Sequence, residues 1–219
     1  MAHRNPGERC RHIGKTKKVE KNLPLSSLFI GAGQPAGNLS DSVSHFTFLG
    51  RRPILRRMAN DDNSSRGLLR HTVATLAYRG GKAISNVPEA VSSFRAGETT
   101  RTPAEILRHV CDLIDWAYHL ARDARRYVES PPAPWADLVS RLFERLKLLD
   151  DFLASSEPLV TPPEKIFQGP IADALTHVGQ IAMLRRLAGS PVRGENYFIA
   201  DIVTGRVGRE QAAPRREFD

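Results

Sequence analysis

The chain has 219 residues, of which 41% are apolar and 26% charged, and its formal net charge is +8. This composition excludes a fully disordered chain, because enough apolar residues are present to build a core. It also excludes a disulfide scaffold, since Cys10 and Cys111 are the only cysteines. The sequence contains no long uninterrupted apolar run of the kind that spans a bilayer. We therefore predict no membrane span and expect a cytoplasmic protein.

The basic excess lies entirely in the first quarter of the chain. Residues 1–57 hold eleven basic and three acidic residues, whereas residues 58–219 hold 21 of each sign. Residues 1–57 also lack a sustained helical or strand period, which predicts a basic, irregular leader ahead of a domain at 58–219. Three interpretations of this leader stay open: a secretory signal, a basic arm for polyanions, or a loosely ordered extension, which includes the case of upstream sequence translated ahead of a natural start at Met58. The neutral remainder is not expected to bind nucleic acid.

Two segments in the first half of the remainder have helical spacing. The first covers residues 65–85 and is weakened near its end by the pair Gly80-Gly81. The second is predicted over residues 103–127, and it has the clearest start in the chain. Thr102 is a good N-cap, Pro103 occupies the first helical position, and Glu105 stands where a capping box requires an acidic residue.

Two further helical segments follow, at residues 135–153 and 169–187. Pro162-Pro163 separates them, and Gly189 is a stop signal after the second. The tail from residue 191 to 219 has weak periodicity, so we expect it to lie irregularly on the surface. Four helices with modest connections predict an all-α fold, an antiparallel four-helix bundle with an irregular N-terminal extension and an irregular C-terminal tail.

Three polar residues interrupt the apolar faces of these helices. His109 lies between Ile106 and Leu113 on the second helix, while Asp173 and His177 share one face of the fourth at a spacing of i, i+4. Buried polar groups need partners, and two imidazoles with one carboxylate can bind a divalent cation and leave positions open. The alternative is a hydrogen-bonded core histidine beside a surface ion pair.

The other histidines of the domain show no comparable pattern. His71 and His119 are interpreted as surface or structural residues, because neither has a carboxylate at a useful spacing.

Two sequence motifs resemble a known family. The stretch RTPAEILRH at 101–109 resembles the opening of the second helix in the DinB-like (YfiT-like) superfamily. The stretch DALTHVGQI at 173–181, followed by LAGSP at 187–191, resembles its fourth-helix motif. The resemblance covers residues 60–191 and implies a four-helix bundle whose metal ligands are His109, Asp173 and His177. Asp173 stands where most of the family has a histidine, although some thiol-dependent relatives place a carboxylate there.

The resemblance also implies a range of functions. The bound cation would be Zn, Ni, Fe or Mn, and the protein would be a thiol S-transferase or an activated-water hydrolase for a small-molecule substrate. A low-molecular-weight thiol is the expected cosubstrate, and relatives often form homodimers. Gln180 would orient the nucleophile, and Arg185 or Arg186 would receive a substrate carboxylate or remain a solvated cation. The alternative is a non-catalytic bundle with a structural or sensory metal.

Overall fold

The structure is a computed structural model that describes residues 52–123 and 125–218, with side chains described from residue 64 of the first helix onward. The predicted leader at 1–57 therefore lies outside the described residues, apart from its last six positions. Those positions belong to the first helix, so the expected irregular segment does not extend to residue 57.

The described residues are mostly helical, which confirms the all-α fold class. The first half of the chain contributes α1 (Arg52–Ile84), α2 (Glu89–Ser92) and α3 (Pro103–Arg122). The second half contributes α4 (Trp135–Ala154), α5 (Pro163–Ile166), a π-helical turn (Phe167–Ile171) and α6 (Ala172–Leu187). Near the C-terminus, β1 (Gly194–Glu195) pairs antiparallel with β2 (Glu217–Phe218). None of the described helices is both long and apolar enough to cross a membrane.

The first helix is longer at its start than its apolar pattern predicts. It begins at Arg52, with Pro53 in the first turn, where a missing N–H costs no hydrogen bond. It continues through the pair Gly80-Gly81 and ends at Ile84. The guanidinium of Arg185 donates to the carbonyl oxygens of Ala83 and Ser85 at 2.9 and 2.8 Å, which satisfies the last turn of α1.

The start of α3 follows the prediction, and its end does not. The backbone N–H of Glu105 donates to Thr102 Oγ1 at 3.2 Å, and Thr102 N–H donates to Glu105 Oε2 at 2.7 Å. The capping box is therefore confirmed. The helix stops at Arg122 rather than near residue 127, because Asp123 Oδ1 accepts the N–H of Arg125 at 3.2 Å and turns the chain.

The four long helices surround one apolar core. Both α1 and α3 pack against α4 and α6. The centre of the core is formed by aliphatic side chains that are fully buried: Val73, Leu76, Leu107, Ile114, Leu138, Leu142, Leu146, Leu149, Leu153, Ile166, Ile171 and Ile181.

The expected antiparallel order needs a correction for α3 and α4. Asp112 pairs with Arg141 at 2.7 Å and Asp115 with Arg145 at 3.1 Å, so residue numbers rise in the same direction along both helices. The two helices are parallel. This direction requires the connection between them to return along α3, and the N–H of Ser130 indeed reaches Asp112 Oδ2 at 3.1 Å.

The C-terminal tail is irregular, as expected, but it is firmly anchored to α1. The side chain of Glu195 is 0% exposed and accepts from Tyr78 Oη at 2.6 Å and from Lys82 Nζ at 2.7 Å. Lys82 also binds Glu217, on the second strand, at 2.7 Å. We call these four residues the tail clamp.

Candidate metal centre

His109, Asp173 and His177 lie together where α3 crosses α6. His109 is in the second turn of α3, and the other two occupy the first two turns of α6. The two imidazole rings contact each other edge to face, with centroids 4.8 Å apart, and the Asp173 carboxylate lies beside both, with Oδ1 at 3.4 Å from His177 Nε2 and Oδ2 at 3.7 Å from His109 Nε2. One ligand atom from each residue lies within 4.8 Å of the others. The structure thus brings the three predicted ligands to one point.

Each imidazole ring has a further contact at Nδ1, the ring nitrogen that is not paired with Asp173. The Nδ1 of His109 lies 2.9 Å from Tyr127 Oη, and the Nδ1 of His177 lies 2.7 Å from Gln180 Oε1. An amide oxygen only accepts, so the His177 contact requires a protonated Nδ1, and in the neutral form of the ring the lone pair is then on Nε2, the nitrogen nearest Asp173. Such contacts at the far nitrogen are typical of histidines that bind metals.

Burial at the site is uneven. The histidine side chains are only 21% and 14% exposed, whereas that of Asp173 is 48% exposed. Burial lowers the pKa of His109 below its usual value, and the neighbouring ring of His177 lowers the pKa further. A neutral imidazole is the form that binds a metal ion. The carboxylate marks the side of the cluster that is open to solvent.

The donor set fits a divalent cation. Two imidazole nitrogens and one carboxylate oxygen suit several borderline metals, and tetrahedral coordination at about 2.1 Å separates ligand atoms by about 3.4 Å. The separations of 3.4 Å and 3.7 Å involve different oxygens of Asp173, and with one ligand atom from each residue the three atoms lie within 4.8 Å of one another, a range that extends beyond the tetrahedral value. Three ligands from one side leave the solvent side for a further ligand.

Gln180 lies one turn beyond His177, as its position in the sequence requires. Its amide oxygen lies 2.7 Å from His177 Nδ1 and holds that ring, and the role of orienting a nucleophile stays a prediction. Sequence reasoning missed Tyr127 completely. The tyrosine was predicted as the last residue of the second helix, but it lies beyond the end of α3, 18 residues after His109, so no helical spacing connects the two.

Two other interpretations from the sequence need correction. His119 does have a carboxylate at i, i+4, because its Nδ1 lies 3.3 Å from Asp123 Oδ2 just beyond the end of α3. Arg185 is not a solvated cation. It is buried, and its described hydrogen bonds go to backbone and serine oxygens near the end of α1 and the end of α6.

Comparisons with known proteins found no match: no protein-family model, curated protein or solved structure matches this chain.

Proposed function

We propose that residues 58–219 form a DinB-like four-helix bundle that binds one divalent cation through His109, Asp173 and His177 and acts as a metal-dependent enzyme. The observation that carries this proposal is the convergence of both Nε2 atoms on the Asp173 carboxylate, with both Nδ1 atoms already in contact with other groups. A hydrogen-bonded core histidine would not need a second histidine and a half-exposed carboxylate beside it.

The chemistry follows from the open side of the cluster. A divalent cation held by His109, Asp173 and His177 would lower the pKa of a thiol or water bound to it and so would supply a nucleophile near neutral pH. The thiol-transfer reaction is the one we favour, because relatives suggested by the motifs include thiol-dependent enzymes with a carboxylate at the position of Asp173. The sulfur forms a bond to an electrophilic carbon of a small substrate, the thiol proton passes to solvent, and the leaving group departs with its electron pair.

The residues of the chain have separate tasks in this reaction. The two histidines supply neutral donors, and the carboxylate of Asp173 offsets part of the charge of a dication. Tyr127 and Gln180 hold the ligand rings.

The first test is the metal content of the full chain, grown with supplemented Zn, Ni, Fe or Mn and measured by mass spectrometry of the elements. We expect about one metal ion per chain in the wild type and a loss of stoichiometric metal in His177→Ala, since a tridentate site loses one of its ligands. His119→Ala is the matched control, because His119 has the same i, i+4 carboxylate spacing but no second histidine among its described contacts. Metal-free wild-type protein, or equal metal in the two variants, would refute the site.

The second test separates catalysis from a structural or sensory metal. The structural or sensory metal is the second candidate, and the origin of the ligands on two different helices favours it. The metal-loaded protein is incubated with a panel of low-molecular-weight thiols and electrophiles, and the loss of free thiol is followed. Faster loss than with His177→Ala supports the transferase. A steep fall in melting temperature on chelation, without thiol consumption, supports the structural metal instead.

A further inference from the structure

The connection between α3 and α4 passes directly behind His109. Its Tyr127 lies between two aromatic rings, with centroid distances of 5.9 Å to His109 and 5.8 Å to Trp116, both in edge-to-face geometry. Such ring pairs favour one orientation over others. The Tyr127 hydroxyl then lies 2.9 Å from His109 Nδ1. Tyr127 therefore contacts a ligand side chain without being a ligand itself.

A buried carboxylate holds this connection in place. Asp112 is 1% exposed and lies one turn after His109 on α3. Its Oδ2 accepts the backbone N–H of Ser130 at 3.1 Å, and its Oδ1 accepts from Arg141 at 2.7 Å. Arg141 also donates to Ser130 Oγ at 2.6 Å. One residue of the connection is thus fixed to both of the parallel helices.

A second contact secures the same region from the outside. Arg108 donates to the backbone oxygen of Ser130 and pairs with Glu129 at 2.7 Å. The anchored residues, 129 and 130, are only two and three positions beyond Tyr127. The connection therefore has little freedom to move its tyrosine away from His109.

We propose that residues 125–130 form a positioning segment that sets the metal affinity of the site through the Tyr127–His109 contact. This inference rests on the proposed metal site and goes beyond it, because it assigns control of affinity to a segment that contributes no ligand. Removing a hydrogen-bond partner behind a metal-binding histidine typically lowers metal affinity about 10- to 100-fold. Tyr127 is accordingly a positioning residue.

The direct test is the Zn²⁺ affinity of Tyr127→Phe in the full chain, measured by competition with a chelator. We expect affinity to fall about 10- to 100-fold while the helical circular dichroism stays unchanged. Tyr118→Phe is the matched control, since it removes a tyrosine hydroxyl whose described bond goes to Arg122 at 3.1 Å. Equal affinity in the two variants would overturn the proposal.

A double-mutant cycle tests whether the anchor acts through the tyrosine. Asp112→Asn should weaken Zn²⁺ binding by releasing the segment, and adding Tyr127→Phe should then cost little more. Full additivity would mean that Asp112 acts on the site through its charge alone, and the positioning role of the segment would fail.

A measurement on the metal-free protein keeps this inference separate from the proposed function. Nuclear Overhauser effects between the ring protons of His109 and Tyr127 should be present in the wild type and weaker in Asp112→Asn. A wild type that binds no Zn²⁺ but shows this pattern refutes the metal site and the control of its affinity, and leaves only the positioning of the His109 ring by the segment. A wild type without these effects refutes the segment.

Discussion

Asp173 and Glu195 each have two polar partners for their carboxylates, yet the two side chains differ in exposure and in the distances to those partners. In the tail clamp, the Glu195 side chain is 0% exposed, and its oxygens lie 2.6 and 2.7 Å from Tyr78 and Lys82. At the candidate metal centre, the Asp173 side chain is 48% exposed, and its oxygens lie 3.4 and 3.7 Å from the two histidines.

The difference distinguishes a closed structural contact from a contact that is open to an additional ion. Distances of 2.6 and 2.7 Å are those of strong, charge-assisted hydrogen bonds, so the clamp has no room for an additional ion. Distances of 3.4 and 3.7 Å exceed those of good hydrogen bonds. The Asp173 oxygens therefore make no short hydrogen bond to either histidine. Removing the Glu195 carboxylate should therefore lower the stability of the protein, whereas removing the Asp173 carboxylate should affect its metal binding.

The largest expected effect is on stability, from Glu195→Gln. The amide has one acceptor oxygen in place of two carboxylate oxygens, and the Lys82 ammonium would lose a charged partner. We expect a loss of about 3 kcal/mol in the free energy of unfolding, at the low end for a broken buried pair because Lys82 keeps Glu217. Urea denaturation measures it, with the exposed Glu210→Gln as control. A loss below about 0.5 kcal/mol would contradict the structural role of the clamp.

A smaller effect is expected at acid pH. The hydrogen bond from Lys82 is the main cause that lowers the pKa of Glu217 below its usual 4.5. The folded state thus binds this proton less readily than the unfolded state. The contribution of Glu217 to stability is complete above pH 4.5 and is lost as the pH falls through the lowered pKa. Denaturation curves between about pH 5 and pH 3 should show a shallower decline in Glu217→Gln than in the wild type; identical slopes would exclude this contribution.

The smallest effect on stability is expected at the metal centre. In metal-free protein, Asp173→Asn should change the free energy of unfolding by no more than about 0.5 kcal/mol, because the half-exposed carboxylate makes no short hydrogen bond among its described contacts. The same variant should lose the thermal stabilisation that excess Zn²⁺ gives the wild type. Thermal scans with and without Zn²⁺ supply both values. A large loss in the metal-free state would place Asp173 with the clamp, as a structural residue.

Local sequence rules predicted those features that depend on neighbours in the chain. The capping box at Thr102 and Glu105 is a contact between residues three apart, and the structure contains both of its hydrogen bonds. Asp173 and His177 are four apart on one helix, so their shared face was predictable as well. The position of His109 opposite them was also predictable, because His109 interrupts the apolar face of α3 and that face turns toward the core.

Features that depend on distant parts of the chain were not predictable. Tyr127 reaches His109 only because Asp123 ends α3 early and the chain turns back. Arg185 occupies a position that equally suits a solvated cation at a helix end, and only the nearby end of α1 makes it structural. The parallel direction of α3 and α4 depends on the path of a connection whose sequence has no period.

The parallel direction of these two helices has a consequence for how the site can diversify. A 20-residue helix is about 30 Å long, so the polypeptide must travel most of that length before α4 can begin. A short hairpin would leave no backbone beside His109. The topology therefore places a stretch of non-helical chain next to the cluster. Substitutions there can adjust the site while the apolar packing of the four long helices, which sets the fold, remains intact.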